Sequence, residues 1–116
     1  MDMELNIVIR KFELEITPVI RKDNIKGFVI WTFVTDRGEL KIKGGTIRLK
    51  EFGSKRILTY DFPAYRAGFK FCKAVFMSDL ELYKTLCNAT VEQYCQMTGD
   101  LRSEIFEAEI NLDDIK

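Results

Sequence analysis

Apolar and polar residues alternate through the first half of the chain with the two-residue period of β-strands. Residues 7–17 carry apolar side chains on one face and charged side chains on the other, which predicts a half-buried strand. Residues 27–35 are apolar on both faces and rich in β-branched and aromatic types, which predicts a central strand. Asp36-Arg37-Gly38 follows and indicates a short hairpin connection into a third strand.

The third predicted strand, residues 39–50, changes the phase of its apolar positions. Apolar residues occupy even positions up to Ile42 and odd positions from Ile47 onward. One inserted residue accounts for such a change, because side chains alternate strictly between the two faces of a strand. Gly44-Gly45 lies where the phase shifts, so we predict a β-bulge at these glycines.

The middle of the chain predicts further strands separated by turns. A tight glycine turn at residues 52–54 leads into a strand over residues 56–62, which Pro63 ends. Residues 65–68 are expected to form a loop, and residues 69–76 one more strand.

A helix is predicted after this strand. Ser78-Asp79-Leu80-Glu81 has the form of a capping box, in which the serine hydroxyl and the glutamate carboxylate satisfy the first amides of a helix. Gly99 is placed to end the helix in a left-handed conformation. The apolar face recurs at steps of three and four residues: Leu80, Tyr83, Leu86, Cys87, Val91, Tyr94 and Met97.

Residues 102–116 fit both a strand and a helix by the spacing of their apolar residues. We favour an edge strand with Glu107 and Glu109 directed outward, because outward charges discourage unwanted edge pairing. The patterns together predict one α+β domain over residues 1–116: an antiparallel β-sheet of four to five strands followed by one C-terminal amphipathic helix, with a short acidic tail.

Composition narrows the class of protein. The 116 residues are 47% hydrophobic and 31% charged, as in an ordinary globular domain. The sequence shows no apolar run long enough to span a membrane and no secretory signal at its start, so we expect a cytoplasmic protein with no membrane partner.

Candidate catalytic chemistry is scarce in the sequence. Histidine is missing, which removes the usual general base, the commonest metal ligand and every Ser-His or Cys-His nucleophile. The three cysteines are odd in number and lack paired spacing, so we interpret them as reduced core residues. No spacing nominates a carboxylate pair for acid–base catalysis. We therefore expect a protein without enzymatic activity, cofactor, metal or small-molecule substrate.

The net charge of zero hides an uneven distribution. Residues 41–73 hold nine basic and two acidic groups, a net charge of +7, whereas residues 78–116 hold three basic and nine acidic groups, a net charge of −6. Basic residues interleaved with aromatic rings are typical of surfaces that bind nucleic-acid phosphates and bases, with Tyr65 as a candidate stacking residue. A solvated strand face above an ordinary aromatic core explains the same pattern. The candidate binding residues are Lys41, Lys43, Arg48, Lys50, Lys55, Arg56, Tyr65, Arg66 and Lys70.

The order of the predicted elements and several short segments resemble the SpoVG family (stage V sporulation protein G, a septation regulator) over roughly residues 27–95. The segments that carry the resemblance are Thr46-Ile47-Arg48-Leu49, the glycine turn at Gly53, Pro63-Ala64-Tyr65-Arg66 and Val91-Glu92-Gln93-Tyr94.

The resemblance implies a small homodimeric, non-enzymatic regulatory protein that binds DNA or RNA. Arg48 and Arg66 match arginines of the family, and Lys70 lies in the corresponding loop-to-strand region. The alternative is a protein-interaction or assembly module, in which the basic stretch pairs with an acidic surface such as the chain's own tail.

Overall fold

A computed structural model describes residues 2–100 and 103–105 of the chain. The strands and the helix of the described residues follow one another along the chain as β1 (Ile9–Pro18), β2 (Ile25–Thr35), β3 (Gly38–Phe52), β4 (Lys55–Asp61), β5 (Ala64–Ala67), β6 (Lys70–Lys73), α1 (Leu80–Thr98) and β7 (Ser103–Ile105).

The strands form two antiparallel sheets. The main sheet has the order β1-β2-β3-β4-β7, and β5 pairs with β6 in a separate two-stranded sheet. An antiparallel sheet combined with a C-terminal helix confirms the predicted α+β fold. The first four strands begin and end within two residues of the predicted bounds, because their alternation comes from burial on one face.

The predicted β-bulge lies in β3. Val29 of β2 is opposite Gly45, whereas Trp31 is opposite Ile42, so β3 contains one more residue than β2 between these two pairs. Gly44 has a φ of 91°, a conformation that glycine adopts without a steric penalty. The extra residue keeps Ile42 and Ile47 on the same face of the sheet.

The core lies between the main sheet and one side of α1. It is rich in aromatic rings, and Trp31 at its centre has no exposed surface. Trp31 Nε1 donates a hydrogen bond of 2.9 Å to Thr90 Oγ1 on the helix. Thr90 Oγ1 in turn donates to the carbonyl of Leu86 at 2.7 Å. This buried chain of hydrogen bonds fixes the helix over β2.

The cap of α1 differs from the predicted capping box by one residue. Asp79, not Ser78, is the N-cap, and its Oδ1 accepts from the amide of Leu82 at 3.1 Å. An N-cap side chain accepts from an amide two or three residues further along the chain; Asp79 lies three residues before Leu82, whereas Ser78 lies four residues before it. The predicted end is confirmed, since Gly99 has a φ of 80° and donates to the carbonyl of Cys95 at 2.8 Å.

The segment after Pro63 departs further from the prediction. Residues 64–67 form β5 instead of a loop, and β6 ends at Lys73 instead of continuing to residue 76. Gly68, with a φ of 64°, makes the turn between the two short strands. The amide of Ala74 donates to the carbonyl of Pro63 at 2.8 Å and closes the base of the hairpin. The two strands satisfy their backbone groups locally, apart from the main sheet.

The last described segment, β7, pairs with the first three residues of β4 at the edge of the main sheet. This confirms an edge strand for residues 103–105. The predicted outward positions of Glu107 and Glu109 lie outside the described residues. Within residues 2–100 and 103–105, no helix has the length and apolar character needed to cross a membrane.

Candidate functional site

A groove of about 430 Å³ opens where the end of β4 meets the β5–β6 hairpin and the start of α1. The four strands β3 to β6 and the helix contribute its walls. We call it the cationic groove and define it by its lining residues: Arg48, Lys50, Asp61, Phe62, Ala64, Phe71, Lys73 and Tyr83.

The main sheet presents charged side chains to this groove because of its register. Ile47 of β3 is opposite Tyr60 of β4, and both are buried in the core. Side chains alternate between faces along each strand. Arg48, Lys50 and Asp61 therefore project from the face of the sheet that points away from the core.

Asp61 holds the two cations of β3 together. Its Oδ1 atom lies 3.0 Å from Lys50 Nζ, and its Oδ2 atom lies 3.4 Å from Arg48 Nε. Arg48 Nε also donates to Thr46 Oγ1 at 3.1 Å. All three charged side chains remain about one-third exposed, so each pair contributes at most about 1 kcal/mol to stability. Solvent can reach both cations, and an anion can compete with Asp61 for them.

The second wall of the groove is one face of the β5–β6 hairpin. Ala64 is opposite Lys73 and Arg66 is opposite Phe71, so these four side chains share the face that lines the groove. Lys73 forms no salt bridge within the described part of the chain. The groove therefore contains three cationic side chains and one carboxylate, a net charge of +2.

The other face of the hairpin carries two of the predicted binding residues. Tyr65 is opposite Cys72 and Ala67 is opposite Lys70, and neither Tyr65 nor Lys70 lines the groove. The aromatic side chain on the groove side is Phe71, which is 77% exposed. Tyr65, which the sequence suggested as the stacking ring, therefore lies on the opposite face of the hairpin from Phe71.

The remaining predicted residues lie apart from the groove. Lys41 is further along β3, where it donates to Thr32 Oγ1 at 3.2 Å and pairs with Glu39. Lys43 is exposed beside the bulge. Lys55 is the first residue of β4 and Asp61 is the last, so Lys55 lies at the end of the strand that is far from the groove. Arg56 is opposite Glu51 and pairs with it, on the same face as Leu58 and Tyr60.

The structure therefore brings together Arg48 and Lys50, with Arg66 on the adjoining hairpin face, and adds three residues that the prediction did not select. Lys73 and Phe71 belonged to the interleaved basic and aromatic stretch but were not among the candidate binding residues, and Asp61 was not a candidate for phosphate or base binding. The alternation of Phe71 and Lys73 about Cys72 was a usable signal, because alternate residues of a strand share a face.

The Tyr83 hydroxyl and the Cys87 thiol, beside the groove, keep their protons near neutral pH. Burial raises the pKa of Tyr83 to about 12 and also raises the pKa of the Cys87 thiol. Both groups are neutral near pH 7, so Cys87 lacks the thiolate that a nucleophile or metal ligand requires. All three cysteines are free thiols. Within the described residues, no cluster of three or more cysteine or acidic side chains could hold a metal ion.

Comparisons with known proteins return no relative. No protein-family model matches the chain, and no curated protein or solved structure matches it either. The SpoVG resemblance stays a prediction.

Proposed function

We propose that this protein is a cytoplasmic, homodimeric, non-enzymatic regulator that binds nucleic acid, with phosphates held in the cationic groove. The observation that supports the proposal is the convergence of Arg48, Lys50 and Lys73 from two sheets on one open groove. Phosphate oxygens are strong acceptors for guanidinium and ammonium groups, and an exposed aromatic ring beside them suits a base.

The net charge of the groove favours a polyanion over an uncharged ligand. Arg48 and Lys50 pair with Asp61 but remain accessible, and Lys73 approaches from the opposite wall. Each phosphate that these groups neutralise releases condensed counterions. Three such contacts on a single strand give a slope of roughly −2 for log affinity against log salt.

Cations outside the groove extend the positive surface. Lys41 and Lys43 continue along β3, and Arg66 lies toward the tip of the hairpin, where its Nε donates to the carbonyl of Gly68 at 3.1 Å. A nucleic-acid strand that leaves the groove in either direction meets further positive charge. Such an arrangement supports binding along a backbone more than capture of one isolated phosphate.

The first test removes one groove cation and compares it with a cation on the other face of the same hairpin. Lys73→Ala is expected to weaken binding to an oligonucleotide about fivefold at roughly 50 mM salt, and to make the salt slope shallower by about 0.7. Fluorescence anisotropy titrations over several salt concentrations measure both quantities.

Lys70→Ala is the matched control, because it removes the same charge from the same strand but from the face away from the groove. It is expected to change affinity less than twofold. Equal losses from the two variants, or no binding by the unaltered protein at low salt, would refute the proposal.

The second test removes the groove's own carboxylate. Asp61→Asn should strengthen oligonucleotide binding roughly fivefold, since Arg48 and Lys50 lose a competing anion and the repulsion of an incoming phosphate disappears. Glu51→Gln, which removes an acidic group from β3 outside the groove, is the control. Weaker binding by a folded Asp61→Asn variant would contradict the idea that Asp61 competes with phosphate for the two cations. It would show instead that Asp61 positions them.

A further inference from the structure

We infer that the cationic groove selects single-stranded nucleic acid, with one unpaired base stacked on Phe71 and the adjacent phosphate held by Lys73, Arg48 and Lys50. This inference rests on the proposed function and specifies its ligand. It depends on the position of one aromatic ring relative to three cations.

Phe71 differs from the other exposed aromatic side chains, which include Phe69 and Phe76, because it lines the cationic groove. The rings of the core contact one another in a continuous cluster, whereas Phe71 takes part in no ring contact within the described residues. It is 77% exposed although it lies in the middle of a hydrogen-bonded strand. A ring held on a paired strand with its surface open to solvent is available to a flat ligand.

The spacing of Phe71 and Lys73 suits one nucleotide. The two residues are alternate positions of β6, so their side chains project from the same face about 7 Å apart along the strand. A base on the ring therefore leaves its own phosphate beside the ammonium group. Arg48 and Lys50 face this phosphate from the opposite wall of the groove.

A duplex cannot use this arrangement in full. The faces of paired bases are covered by their stacked neighbours, so an aromatic ring reaches a base face only where the base is unpaired. The groove, at about 430 Å³, lies between the hairpin and the end of β4 and has room for a flat group and a phosphate. Duplex phosphates can still meet the cations at the rim, which predicts weaker binding that does not involve Phe71.

The test compares oligo-dT and oligo-U with a duplex of equal length by fluorescence anisotropy at constant low salt. Phe71→Ala is expected to weaken binding to both single strands about tenfold and to leave duplex binding nearly unchanged. Phe71→Tyr should retain single-strand binding. Phe71→Leu keeps an apolar residue on the strand without an aromatic face, and should lose as much as Phe71→Ala.

Tyr65→Ala is the matched control, since it removes an exposed ring from the other face of the same hairpin. It should leave single-strand affinity within about twofold of the unaltered protein. Equal effects of Phe71→Ala on single strands and duplex, full binding by Phe71→Leu, or an equal loss in Tyr65→Ala would overturn the inference while nucleic-acid binding itself stands. Absence of binding to every oligonucleotide overturns the proposed function instead.

Discussion

Replacing Trp31 with alanine is expected to lower the free energy of unfolding by about 4 kcal/mol, a large part of the stability of a domain of this size. Trp31 has no exposed surface and stacks on Tyr60, with ring centroids 4.4 Å apart and an interplanar angle of 13°. Its ring also meets the edges of Phe12 and Phe62. Alanine removes these contacts, leaves a cavity between sheet and helix, and strands the Thr90 hydroxyl without its donor.

Urea denaturation followed by far-ultraviolet circular dichroism measures this loss, because Trp31 is the sole tryptophan and fluorescence disappears with it. Thr90→Val is the companion variant. It keeps the shape of the side chain but leaves the indole N–H unpaired in the core, so we expect a loss of about 2 kcal/mol. If the free energy of unfolding of Trp31→Ala falls by less than about 1 kcal/mol, the prediction is wrong and the core has rearranged to fill the cavity.

Replacing Gly45 with alanine is expected to cost about 3 kcal/mol, at the upper end of the range for overpacking a core. A Cβ atom on Gly45 would lie 2.6 Å from Tyr60 Cε1 and still closer to the Tyr60 hydroxyl. The Tyr60 ring is held by its stack on Trp31, so it cannot move aside without disturbing the centre of the core. Gly45 does not have a positive φ, so the expected cost is steric.

Gly53→Ala separates this clash from the conformational cost of losing a glycine. Gly53 has a φ of 57°, and a Cβ atom there would meet no other atom within 4 Å. We expect a loss of about 1 kcal/mol from the left-handed backbone alone. Tyr60→Leu should partly rescue Gly45→Ala, and a double-mutant cycle of unfolding free energies measures the coupling. Equal losses in Gly45→Ala and Gly53→Ala would disprove the steric account.

The contact between Gly45 and Tyr60 and the bulge in β3 also position the charged residues of the groove. Gly45 leaves space for the Tyr60 ring beside β3, and the residue after Tyr60 is Asp61, which pairs with Arg48 and Lys50. The bulge at Gly44 keeps those cations on the face away from the core. A shift of β3 by one residue would turn Arg48 and Lys50 toward apolar neighbours, where an unpaired charge is very costly.

The charge distribution predicted the segment that supplies the cationic groove better than it predicted which residues line that groove. The net charge of +7 over residues 41–73 pointed to the segment that contains Arg48, Lys50 and Lys73. It could not separate them from Arg56, which lies on the other face of the sheet and pairs with Glu51. Charge counts have no direction, whereas binding depends on which side chains share one surface.

The main strands, the bulge and the end of the helix could be predicted from the sequence alone, because each follows from neighbouring residues: alternating apolar positions, a phase shift at two glycines, and a glycine after an apolar helical stripe. The packing of whole elements, by contrast, separates the hairpin after Pro63 from the main sheet and places Phe71, not Tyr65, beside Arg48 and Lys50. Contacts between residues more than 20 positions apart depend on how whole elements pack, and local periodicity carries no record of that packing.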